Sequence, residues 1–163
     1  MPVIYREYPE QLQVALKNAR VLGETGWQYG PEKGCPDDLR LHTFSGYLTT
    51  AFEHHDSITT LLATGRNNAS AFALLRVLME TVYRGLWLST CGSDLQVEQV
   101  RKGKEPFPDF EPMTKAVDAK IENTGKLRIN GRVHGMLSKF VHTGHLQRSG
   151  DITRMACLFP ITR

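Results

Sequence analysis

Between residues 67 and 91 the chain reads NNASAFALLRVLMETVYRGLWLSTC. At the helical period, Leu74, Leu75, Val77, Leu78, Met79, Val82, Leu86 and Leu88 spread around most of the circumference. A helix that is apolar nearly all round belongs in the centre of a domain. One narrow stripe interrupts it: Arg76, Glu80 and Arg84, each four residues after the last. That spacing stacks the three on one face and predicts a carboxylate bridging two guanidiniums. Charges in so apolar a helix are costly unless they pair or line a cleft.

The flanking segments carry weaker helical patterns. Pro9-Glu10 opens a first helix, with Leu12, Ala15, Leu16, Ala19 and Leu22 on one modest apolar face. Gly23 and Gly26 are expected to stop it, leaving Trp27 to Gly34 as loop. Pro36-Asp37-Asp38 starts a long helix to about Thr64, apolar at 41, 44, 48, 51, 52, 58 and 62. His55 falls on that face and reads as a core histidine satisfied by hydrogen bonds. A tight turn at Gly65 to Asn68 joins this helix to the central one as an αα-hairpin, with Asn67 or Asn68 as cap.

Beyond the central helix, Gly92-Ser93-Asp94 stops it and caps a short helix, Leu95 to Lys102. The proline-rich KGKEPFPDFEP that follows is loop, pinned to the body by Phe107 and Phe110. Met113 to Asn123 is helical, and Gly125 to Gly131 connects it to a helix over Arg132 to Thr143. There Val133, Met136, Leu137, Phe140 and Val141 form a clean apolar stripe, with His142 opposite it. A last short helix runs from Asp151 to Phe159. No segment alternates with the period of a strand. The pattern predicts an all-α antiparallel bundle of four to five main helices, with the 67–91 helix central.

At 163 residues the chain is expected to be one domain spanning 1–163, able to bury a core without staples. The absence of a long apolar run, and of a basic-then-apolar start in MPVIYREYPEQ, predicts a cytoplasmic protein with no membrane partner. Cys35, Cys91 and Cys157 are odd in number and widely spaced, which suits free thiols in a reducing compartment. Charge alters the picture more. From Lys126 onward seven Lys and Arg face one acid, Asp151, so a segment of +6 follows a slightly acidic body. Such a segment can meet RNA, DNA or an acidic partner, or be plain solvated surface.

Nucleotide-fold, zinc-protease and hydrolase motifs are absent, as is the paired ExxH of di-iron bundles. His54, His55, His142 and His145 could converge on a metal only if the last helix continued through Gly144, so neither metal nor cofactor is expected. The two most apolar helices should be neighbours. This places a candidate catalytic site between Arg76, Glu80 and Arg84 on one side and His142 on the other. His145, Arg132, Lys139 and Arg148 are its candidate binding residues. Arginine forks bind phosphate or carboxylate, and a nearby histidine supplies an acid or base near neutral pH. The alternative is a structural Arg-Glu-Arg network inside a non-catalytic bundle that binds a ligand or protein.

ALLRVLMETVYRGLWL, followed about fifty residues further on by LSKFVHTGHLQ, resembles a group of uncharacterised bacterial helical proteins. These pair an R-x3-E-x3-R-G-x-W-L helix with a helix ending in F-x-H-x-G. They look related to the HEPN superfamily, helical bundles of toxin–antitoxin and abortive-infection systems, many of them metal-independent ribonucleases. The resemblance implies a bundle, a homodimer, and a bacterial toxin–antitoxin or phage-defence setting, with RNA or an antitoxin-like protein as partner. The superfamily's catalytic signature is an arginine followed by four to six residues and a histidine on one helix. Arg128 and His134 have that interval, but Asn130-Gly131 lies inside it and is expected to break the helix. Arg132 and His142 are too far apart. The ribonuclease motif is on this reading absent or displaced.

Overall fold

The computed structural model describes residues 10–29, 37–64, 67–121, 134–135 and 137–138. Five helices run through them: α1 (Glu10–Tyr29), α2 (Leu39–Ala63), α3 (Asn68–Thr90), α4 (Asp94–Arg101) and α5 (Phe110–Lys120). No strand occurs among the described residues. The protein is an all-α helical bundle, as the periodicity implies. Residues 134, 135, 137 and 138 are helical too, within the expected last helix. The expected helix at Asp151 to Phe159 lies outside the described residues.

The α2–α3 hairpin is the frame. Asp38 caps α2, its carboxylate accepting from the Leu41 amide at 2.8 Å. Asn67 holds the cap position of α3 but contributes no side-chain capping bond. The pairing is antiparallel. Arg40, near the start of α2, reaches the carbonyls of Leu88 and, at 2.7 Å, Gly92, beyond the last turns of α3. Two turns further along α2, Tyr47 faces Gly85, where a Cβ would come within 2.9 Å of the tyrosine Cβ. The glycine of the RGLWL segment thus leaves room for Tyr47 against the α3 backbone, which a side chain would take up.

The same logic governs α1, and it corrects the reading of its glycines. Gly23 and Gly26 lie inside α1, not at its end. A Cβ at Gly23 would meet His55 Nδ1 at 3.2 Å, and one at Gly26 would overlap the Phe52 ring. Both glycines let α1 settle on α2, and α1 continues far enough for Trp27 to pack on Phe52, ring centroids 5.6 Å apart. Packing outweighs the helix-breaking tendency of glycine, which costs only about 1 kcal/mol per residue.

The core gathers at the C-terminal half of α3. Tyr83, Trp87 and Leu88 pack with Val97 of α4 and Met113 and Val117 of α5. Leu137 is also fully buried. Ser93 starts α4 through a reciprocal capping box with Gln96. Phe107 pins the proline-rich loop against Tyr47 and Trp87, as expected, while Phe110 proves to be the first residue of α5. The N-terminal half of α3 is less enclosed than its all-round apolar wheel predicts. Val77 is 42% exposed, and Leu75, Leu78 and Val82 border an apolar cavity of about 360 Å³ against Leu48, Phe52 and Leu22. Ala71 and Asn68, near the start of α3, are nevertheless buried.

Candidate functional site

The charged stripe of α3 does not form the predicted Arg-Glu-Arg ladder. Glu80 Oε1 accepts from Arg76 Nε at 2.8 Å, one turn back on the same helix. It does not pair with Arg84. Its second partner is His134, whose Nε2 lies 3.0 Å from the same oxygen. Arg84 turns away to the 102–109 loop, where its guanidinium lies over the Phe107 ring at 5.0 Å and 3.6 Å from Glu105. The reason is geometric. Glu80 Oε1 is already taken by Arg76 and His134, and Phe107 offers the second guanidinium a face to stack on.

His134 is held from two directions. Its ring stacks on Phe110 with centroids 3.9 Å apart and planes at 11°. Glu80 fixes its Nε2 edge. Three elements therefore meet here: α3 supplies Arg76 and Glu80, α5 supplies Phe110, and His134, in the short helical stretch 134–135, supplies the imidazole. Side-chain exposures of 22%, 24% and 19% for Arg76, Glu80 and His134 leave the cluster sheltered but within reach of water.

Electrostatics fix the state of Glu80. Burial alone would raise its carboxyl, but the hydrogen bonds from His134 and Arg76 outweigh that and hold it below the usual carboxylate value. Ionised, it only accepts, so His134 must donate from Nε2. Nδ1 is then the acceptor of the neutral ring, and among the described residues it has no hydrogen-bond partner. A carboxylate behind one imidazole nitrogen with the other left open is the layout of an oriented general base.

Sequence reasoning chose a different histidine. His142 was selected because it points away from the apolar stripe of its helix. His142, along with His145, Arg132, Lys139, Arg148 and Arg128, lies outside the described residues. His134 sits one turn before the buried Leu137, beside that stripe, and so faces the bundle. A histidine serving a charged stripe on the neighbouring helix has to be at the packed side. That signal was available at residue 134.

Among the described residues no group of three or more His, Cys, Asp or Glu side chains could hold a metal ion. Nor is any of their helices long and apolar enough to cross a membrane. Cys91 is a free thiol; Cys35 and Cys157 lie outside the described residues. His55 borders the apolar cavity, next to Gly23.

Fold and site together define an all-α bundle protein with an arginine-flanked carboxylate–imidazole pair between α3 and His134. Residues 48–151 match the model of a family of unknown function, DUF6988, and the chain belongs to that family. The matched stretch takes in α3, α4, α5 and His134, and so the whole cluster. Neither the curated proteins nor the solved structures yield a match to the chain.

Proposed function

We propose that the protein is a HEPN-like, metal-independent ribonuclease in which His134, oriented by Glu80, is the general acid–base. The observation that carries this reading is the 3.0 Å contact between Glu80 Oε1 and His134 Nε2. In metal-independent RNA cleavage the 2′-hydroxyl attacks the neighbouring phosphorus and the 5′-oxygen departs. A neutral imidazole takes the hydroxyl proton, and the imidazolium can return it to the leaving oxygen. Arg76 puts positive charge beside the pair, where charge grows on the phosphoryl oxygens. The basic segment from Lys126 onward supports a polyanionic partner; Arg128 and His134 have the spacing of the superfamily's signature but enclose Asn130-Gly131, so the reading does not rest on that motif. A cytoplasmic homodimer, with an antitoxin-like protein partner in a bacterial toxin–antitoxin or phage-defence system, belongs to the same reading.

The test is cleavage of single-stranded RNA in EDTA by the wild type and by His134→Gln. Glutamine retains an amide donor for Glu80 but cannot take up a proton near neutral pH. Its cleavage rate should fall by about 10²–10⁴-fold, the usual contribution of a general acid–base, with the melting curve little changed. A variant that cleaves like wild type would remove His134 from the chemistry.

One observation favours a second reading. Arg76, Glu80 and His134 satisfy one another, and Phe110 covers the imidazole, which is also what a purely structural tie between α3, α5 and residues 134–138 requires. In that case the protein is a non-catalytic bundle that binds a ligand or protein. A wild type that binds RNA or a protein and never cleaves RNA would select it.

A further inference from the structure

Arg84 is the charged residue of the α3 stripe that the acid–base pair does not use, and its surroundings are unusual for a structural arginine. Its guanidinium lies on the Phe107 ring, 5.0 Å from the centroid. Its anionic neighbour is Glu105, at 3.6 Å, beyond the 2.7–2.9 Å of a charge-assisted hydrogen bond. The Glu105 side chain is 75% exposed, and exposed ion pairs of this kind hold weakly. No protein acceptor among the described residues takes a hydrogen bond from the Arg84 guanidinium. Five donors in a planar fork are thus fixed in orientation by an aromatic face, 32% exposed, and only loosely countered.

The Tyr47 ring packs edge-on to Phe107 from the α2 side, ring centroids 6.1 Å apart. Burial raises its phenol, while Arg84 lowers it and Glu105 raises it, so the phenol shares the field of both charges. It remains protonated and able to donate. Trp87 closes the other edge of Phe107 at 5.8 Å.

We propose that Arg84, backed by Phe107, is a phosphate-binding subsite in which the Glu105 carboxylate is a displaceable stand-in for the anion. A phosphate offers the guanidinium two oxygens in the geometry of its fork, which a single long contact to Glu105 does not. Arg84 follows Glu80 by four residues, a rise of about 6 Å along α3. The two sites therefore start from successive turns of one helix, with the Arg84 side chain directed to the 102–109 loop. That the phosphate belongs to RNA rests on the proposed function; the anion site itself does not.

Titration with inorganic phosphate, followed by the fluorescence of Trp87 against Phe107, tests the site, with a short single-stranded oligouridylate as second probe. Trp27 also emits, so every titration is run in a Trp27→Phe background, where Trp87 is the only tryptophan. Glu105→Gln removes the competing carboxylate from an exposed position and should tighten phosphate binding several-fold. Arg84→Gln should weaken it by about tenfold or more, the equivalent of about 1.4 kcal/mol. His134→Gln should bind phosphate as the wild type does. Equal affinities for wild type, Glu105→Gln and Arg84→Gln would overturn the subsite, whether or not RNA is cleaved. Should Arg84→Gln melt early, unchanged affinity in Glu105→Gln is enough to overturn it. Phosphate binding that responds to both variants, with oligouridylate bound no better than phosphate, would uphold the subsite and refute its RNA assignment.

Discussion

Glu80 Oε1 receives two donors, Arg76 and His134, so its loss strands two polar side chains in a sheltered place. Glu80→Ala should cost about 1–3 kcal/mol, the penalty for leaving sheltered donors unpaired, as measured by urea melts. A value near that of an ordinary surface charge would show that the cluster is solvated in solution. The same residue sets a pH dependence. Its carboxyl is depressed on folding, so the stability it contributes is full above the ordinary value of 4.5 and is lost as pH falls through the lower folded value. Melts of wild type and Glu80→Gln across this acid range should therefore converge as the pH drops. The stripe itself was legible in the sequence, because a spacing of four puts charges on one face. Its partners were not. Which side of Glu80 a neighbour occupies depends on how far a separate helix is rotated, and the pattern of α3 says nothing about that.

The helices were largely legible, because apolar periodicity and capping residues act locally. Asp38 and Ser93 cap where a short polar side chain before an apolar run should. The glycines were not. A glycine that ends a helix and one that admits a neighbouring helix look alike along the chain. Three substitutions separate the cases. Gly46 lies within α2, is exposed, and has nothing within 4 Å of an added Cβ. Gly46→Ala should stabilise the protein by about 0.5–1 kcal/mol, through helix propensity alone. Gly85→Ala and Gly26→Ala push a methyl into Tyr47 and Phe52 and should destabilise by about 1–3 kcal/mol despite the same gain in propensity. Denaturant midpoints of the three variants order them. Leucines of α3 divide in a similar way. Leu88, with no exposed surface, should cost about 2–5 kcal/mol on truncation to alanine. Leu78, already bordering a cavity, should cost clearly less, although the helical wheel ranks the two alike.

Across the whole molecule, one side chain joins three helices. Arg40 starts on α2, donates to the carbonyls of Leu88 and Gly92 at the end of α3, and pairs with Asp94 of α4 at 2.6 Å. The last carbonyls of a helix lack partners of their own, and a cation there also suits the helix dipole. Arg40→Leu should cost about 1–3 kcal/mol in a thermal or urea melt, because it leaves part-buried carbonyls unsatisfied. Asp94→Asn should change little, since that carboxylate is almost entirely in water.

The two ends of α3 are consequently held very differently, and this gives the helix a direction of motion. At one end Arg40 ties down the terminal carbonyls from a neighbouring helix. At the other, the Asn67 side chain makes no capping bond. Local opening of α3 should therefore begin at Asn68 and proceed toward the core, never from Thr90 backwards. Amide hydrogen exchange would register this as a gradient, fast over the first turn and slowest around Tyr83 to Leu88. In Arg40→Leu the gradient should flatten as the second end begins to breathe. The Glu80–His134 contact lies midway along that gradient, so openings that travel three turns inward would release His134 from its carboxylate.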